Sequence, residues 1–220
     1  MKVYCFGCSW TYGQKDDKPS EYNWVNSLAK KYPQHQFENY SLPGTSLLFS
    51  VAQLNWVLEW QKPGIYIFQI THPFRYTSWE QEYIDCNKEK NASNVLQYSQ
   101  DALNSIERYF ATWRPDSNKE NKKFFNLYYK KQSNIAEKTQ FLALNEYVRK
   151  HTHFSFYQRR HGFVSDMQIP CVQEVLGKEK CKLFEHDSGF HFGKKGCNWV
   201  ANWISNNVEE LFNESIRPTK

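Results

Sequence analysis

Residues 1–70 read MKVYCFGCSWTYGQKDDKPSEYNWVNSLAKKYPQHQFENYSLPGTSLLFSVAQLNWVLEWQKPGIYIFQI, and this stretch decides the fold. Lys2 to Phe6 reads as a short buried strand, and Gly7 to Gly13 as a loop bracketed by glycines. From Glu21 to Tyr32 the apolar residues Trp24, Val25, Leu28 and Ala29 share one helical face, with Ser20 as the expected N-cap and Pro33 as the stop. Gln36 to Tyr40 fits a second strand, followed by the turn Ser41-Leu42-Pro43-Gly44. Ser46 to Trp60 carries a broad apolar face of Leu47, Leu48, Val51, Leu54 and Leu58 and predicts a helix that Pro63-Gly64 ends. Ile65 to Ile70 is a continuous apolar-rich run of strand length. Strand, helix, strand, helix, strand is the pattern of right-handed βαβ units and a parallel sheet.

Working outward, the middle has few strand signals. Val95 to Trp113 and Lys122 to Lys150 predict helices, with a break at Arg114-Pro115-Asp116-Ser117-Asn118. Residues from about 80 to 150 therefore read as a helical insertion or elongated crossover within one domain spanning 1–220. His153 to Tyr157 returns the chain to the sheet, and Lys182 to Glu185 is a further extended piece. Lys194 to Phe212 is an amphipathic helix with Trp199, Val200, Trp203, Ile204, Val208, Leu211 and Phe212 on its apolar side. There is no internal repeat.

Composition bounds the function. With 16 Phe, 14 Tyr and 8 Trp, rings must supply much of the core. Only 9 Gly and 8 Pro argue against a disordered or fibrous chain, despite a mean hydropathy of -0.78. A net charge of +5 is mild, and the basic stretches Lys119 to Lys131 and Arg149 to His161 read as solvated helix faces. Nucleic acid is not the expected partner. Six cysteines in a chain of 220 residues form no dense disulfide framework. No signal peptide is read before the first strand, and no apolar run approaches the ~20 residues of a membrane span. A cytoplasmic protein with reduced thiols is expected.

Two segments carry chemistry. Gly7-Cys8-Ser9-Trp10-Thr11-Tyr12-Gly13 follows the first strand, where parallel sheets bind ligands. Ser9 there is either an exposed nucleophile or the N-cap of a following helix. Asp187-Ser188-Gly189-Phe190-His191 offers an imidazole to take a serine proton and a carboxylate to orient it; the alternative is a surface turn. Cys5 and Cys8 form Cys-x-x-Cys, but Cys5 sits inside a strand and no second ligand pair completes a zinc site. His151, His153, His161, Arg159 and Arg160 form either an anion patch or a solvated turn. No metal and no cofactor are expected.

Taken together, these segments resemble the SGNH (GDSL-like) hydrolase family. Gly7-Cys8-Ser9 to Gly13 matches its Gly-Asp-Ser-x-x-x-Gly block, with Cys8 in place of Asp. Asn39 to Ser46 is similar to the second block, and the third falls on Ile65 to His72, where Gln69, Thr71 and His72 replace the family's Gly, Asn and Asp. His191, Gly196 and Ala201 fit the last block, with Asp187 four residues before His191 rather than three. The match covers the first 75 and last 35 residues. Gly-Cys-Ser-x-Thr-x-Gly, with Thr71-His72-Pro73-Phe74-Arg75 after the third strand, is similar to a divergent bacteriophage and environmental branch.

The resemblance implies an α/β fold, a three-layer α/β/α sandwich on a small, mostly parallel, flavodoxin-like sheet. It implies Ser9, His191 and Asp187 as a triad, and an oxyanion hole of the Ser9 and Gly44 amides with Thr71 assisting. Trp10, His72 and Arg75 are candidate substrate contacts. The expected activity is hydrolysis of a short acyl ester, such as an O-acetyl group on a glycan. A scaffold that binds without turnover, in a phage a virion or host-interaction component, and an acyltransferase on the same site are the alternatives.

Overall fold

Side-chain alternation builds the centre of the molecule. In β1 (Lys2–Phe6), Val3 and Cys5 enter one core layer while Tyr4 and Phe6 enter the other. The same alternation runs through β5 (Gly64–Ile70), with Ile65 and Ile67 on one face and Tyr66, Phe68 and Ile70 on the opposite face. A strand covered on both faces cannot show the apolar–polar alternation of a half-exposed one, which is why Ile65 to Ile70 reads as a nearly unbroken apolar run. The computed structural model describes residues 1–15, 18–19, 22–42, 45–60, 63–71, 76–78, 111–113, 133–158, 169–177 and 191–214.

Four strands form the main sheet in the order β4 (Gln36–Asn39), β1, β5, β8 (Phe154–Tyr157), and every pairing is parallel. In chain order this is second, first, third, fourth, the flavodoxin-like arrangement. A parallel bridge from Tyr157 to Cys171 carries the sheet one step beyond β8. Two short antiparallel pairs lie apart from it, β2 (Gln14–Lys15) with β3 (Lys18–Pro19) and β6 (Tyr76–Ser78) with β7 (Ala111–Trp113).

Helices cover both faces. On one lie α2 (Trp24–Lys31), α5 (Val172–Leu176) and α6 (Lys194–Glu214), which bury Trp24, Leu28, Val172, Val200, Ile204 and Phe212 against the sheet. On the other, α3 (Leu47–Trp60) and α4 (Ser133–His151) bury Leu54, Val57, Phe141 and Val148. Each fully buried aliphatic side chain contributes about 1.5–3 kcal/mol relative to an exposed one. The result is the expected α/β/α sandwich.

Three local expectations change. The N-cap of α2 is Asn23, whose side chain accepts from the Asn26 amide at 2.7 Å, in place of Ser20. Gly7 to Gly13 is not an open loop but contains a single helical turn, α1 (Ser9–Tyr12). Of the helix expected over 95–113, residues 111–113 are strand, because they pair with Tyr76–Ser78. The rest of that helix, and 114–132, lie outside the described residues. Helix α4 leads into β8 and packs on the sheet, so 133–151 forms the last part of the connection between β5 and β8. The extended piece expected at 182–185 is also outside the described residues.

Candidate active site

The loops after β1, β4 and β5 leave the carboxyl edge of the sheet, on either side of the point where strand order reverses. Ligands of open α/β sheets bind there. Gly7 leaves β1 with φ +156°, and a Cβ on it would lie 2.3 Å from Thr11 Oγ1 and 2.9 Å from Gln69 Oε1. Only glycine lets the chain turn this close to its neighbours. Cys8 is extended and takes the cap position of α1, its carbonyl accepting from Thr11 N at 2.9 Å and Tyr12 N at 3.0 Å. Gly13, at φ +80°, closes the turn by donating to the Ser9 carbonyl. Ser9 is thus the first helical residue, not the cap, and an amide at that position has no partner within its own helix.

The Ser9 hydroxyl and His191 Nε2 lie 2.9 Å apart, within hydrogen-bonding reach. Phe192, next in the chain, is buried in the core layer and meets the Trp10 ring edge-on at 5.3 Å. Trp10 in turn stands against the His191 ring, centroids 5.4 Å apart. Burial of Phe192 anchors the backbone beside His191, and Trp10 limits the imidazole's freedom to swing. Ser9 is only 4% exposed.

Beneath the turn lies a buried polar network that sequence reasoning missed. Trp24 Nε1 donates to Thr11 Oγ1 at 3.2 Å, and Thr11 Oγ1 donates to Gln69 Oε1 at 3.1 Å. Cys8 N also donates to Gln69 Oε1, at 3.4 Å, while Gln69 Nε2 donates to the Ile70 carbonyl at 2.9 Å. Asn39, at the end of β4, donates to the Thr11 carbonyl at 3.1 Å and accepts from Ser41 N at 3.1 Å. The one legible signal was Gln69 itself, an amide inside an otherwise apolar strand.

Thr71 follows directly on β5. It is 1% exposed, and its hydroxyl donates to the Thr45 carbonyl at 3.2 Å. A hydroxyl has a single proton, so Thr71 holds the turn at Thr45 and reaches an oxyanion only after rotating away from it. Thr45 Oγ1 in turn faces the Leu42 carbonyl at 3.0 Å and the Gly7 carbonyl at 3.3 Å. Asp187, Gly44, His72 and Arg75 lie outside the described residues.

Other candidates separate from the site. Burial raises the pKa of the Cys5 thiol well above its usual value, and pushes Cys197 up to about 12, so neither supplies thiolate. Among the described residues, no group of three His, Cys, Asp or Glu could hold a metal ion. His153 belongs to the opposite edge of the sheet, where Nδ1 accepts from Tyr66 N at 3.1 Å. His151 stands against Tyr147, and Arg159, Arg160 and His161 are outside the described residues. No described helix is long and apolar enough to cross a membrane.

No protein-family model matches the chain, and no curated protein matches it in sequence. Solved structures similar to it include the lipase/acylhydrolase from Enterococcus faecalis, at 13% identity and TM-score 0.47, covering 100% of this chain and 98% of that one. The psychrotrophic esterase EstA from Pseudoalteromonas sp. shares 13% identity at TM-score 0.42, covering 96% and 98%. A variant of Axe2, an acetyl xylan esterase from Geobacillus stearothermophilus, shares 11% at TM-score 0.43, covering 94% of each chain. Likeness this distant assigns neither family nor activity to the chain.

Proposed function

We propose that the chain is a serine ester hydrolase acting on a short acyl ester, such as an O-acetyl group on a glycan. The 2.9 Å contact between Ser9 Oγ and His191 Nε2, at the carboxyl edge of a parallel sheet, carries this reading. Ser9 Oγ attacks the acyl carbon while its proton passes to His191 Nε2. The leaving alcohol takes that proton as the tetrahedral intermediate collapses to an acyl-serine. Water, deprotonated by His191, then releases the acid and restores the serine. Asp187 orients the imidazole, the amides of Ser9 and Gly44 receive the oxyanion, and Trp10, His72 and Arg75 contact substrate.

The test is covalent labelling with a fluorophosphonate. Wild type is expected to take one label, and Ser9→Ala none; an unlabelled wild type, or equal labelling of the variant, sinks the reading. The burial of Ser9 and the commitment of Thr71 to Thr45 favour a second reading, a scaffold that binds an ester without turnover. Its expected result is a wild type inert to both label and p-nitrophenyl acetate.

A further inference from the structure

We infer that Gln69 is a positioning residue for the Ser9 turn, acting through Thr11 and Cys8 rather than on substrate. The inference rests on the reading of Ser9 as nucleophile and extends it to a residue on another element.

Gln69 is 2% exposed, at the carboxyl end of β5. A buried amide is costly unless its lone pairs and protons are satisfied. Here its oxygen collects donors from both sides of Ser9. Cys8 N and Cys8 Sγ approach it at 3.4 and 3.5 Å before Ser9, and Thr11 Oγ1 at 3.1 Å after it. The direction of the Thr11 bond is fixed. Indole N–H can only donate, so Thr11 accepts from Trp24 and turns its own proton to Gln69. Its amide nitrogen, donating to the Ile70 carbonyl at 2.9 Å, holds the side chain to its own strand.

One side chain therefore links α2, α1 and β5 around the turn, and the same oxygen lies 2.9 Å from where a Gly7 Cβ would stand. An apolar side chain of equal size would fill the space but withdraw the oxygen to which Cys8 N and the Thr11 hydroxyl donate. The Ser9–His191 alignment would then relax, since the turn has no side-chain cap of its own.

The experiment measures the fluorophosphonate labelling rate from pH 6 to 9 in wild type, Gln69→Leu, Gln69→Glu and Thr11→Val, alongside each variant's melting curve. Gln69→Leu is expected to label about 10- to 100-fold more slowly at temperatures where it remains folded. Gln69→Glu, which when protonated keeps both an acceptor and a donor, is expected to recover most of the rate at the acid end. It should fall behind wild type as pH rises and its carboxyl ionises. A residue that only fills space would lower the melting temperature without this pH-dependent rescue. Should Gln69→Leu not fold, Thr11→Val removes the same bond from the other side and is expected to slow labelling about tenfold. Wild-type rates in Thr11→Val or Gln69→Leu, or a Gln69→Glu no faster than Gln69→Leu at any pH, overturn the role of Gln69 alone. An unlabelled wild type overturns the reading of Ser9 and this role with it.

Discussion

His191 Nε2 and Ser9 Oγ stand 2.9 Å apart across a sequence separation of 182 residues. If this contact transfers the serine proton, removing either partner is more damaging than any change around them. Ser9→Ala and His191→Ala should each lower p-nitrophenyl acetate hydrolysis about 10³- to 10⁶-fold, and the double variant should be little worse than either single one. Additive losses in the double variant would show that the two residues do not act as a unit.

Gly7 and Gly177 both adopt positive φ, at +156° and +84°, but only Gly7 is crowded. Gly7→Ala should cost about 2–4 kcal/mol in urea unfolding, because the new methyl strikes Thr11 Oγ1. Gly177→Ala, with none of the described residues within 4 Å of its Cβ, should cost about 1 kcal/mol from backbone strain alone. Equal costs would mean that the close approach at Gly7 is unimportant.

Burial lowers the pKa of His153 below its ordinary 6.5, and its Nδ1 must be unprotonated to accept from Tyr66 N. Below pH 6.5 the unfolded chain binds a proton that the folded chain resists. This contribution to stability is complete above that pH and is lost as pH falls through the window beneath it. Urea midpoints at about pH 7.5 and about pH 5.5 should differ more in wild type than in His153→Asn, whose side-chain oxygen accepts without titrating. An unchanged difference in the variant removes His153 from the account.

Asn23 joins two elements, capping α2 through Asn26 N and donating to the Tyr12 carbonyl at 3.2 Å. Asn23→Ala should destabilise the protein by about 1–2 kcal/mol, measured by thermal unfolding. Ser20→Ala, at the cap position read from the sequence, should leave the α2 cap intact.

The sheet and its helices were legible because burial leaves a pattern, continuous in a doubly covered strand and periodic in a helix. Ile65 to Ile70 shows the apolar continuity of a central strand, and Leu47, Val51, Leu54 and Leu58 the spacing of a helix. The cap of α2 was not legible, since Ser20 and Asn23 both precede an apolar run and only geometry selects Asn23. Ala111–Trp113 was misread because a three-residue strand has no period of its own; it is strand by pairing with Tyr76–Ser78. Ser9 and His191 were legible as types in a pattern, but the support beneath them was not. Thr11 looked like one more residue of a glycine-bracketed turn, and its bonds to Trp24 and Gln69 depend on two other elements.

Helix α6 is fastened to α2 and the segment after it by contacts between distant parts of the chain. Ser27 bonds Asn198 across 171 residues, Tyr32 bonds Ser205 across 173, and His35 bonds the Phe212 carbonyl across 177. Closing loops of that length is entropically expensive and slow relative to local helix or strand formation. The sheet strands of the first 70 residues can pair while His191 is still distant, so a partly folded chain holds Ser9 without its 2.9 Å partner. The Ser9–His191 contact, and the reactivity that the proposed function assigns to it, therefore awaits the packing of the last layer over the core.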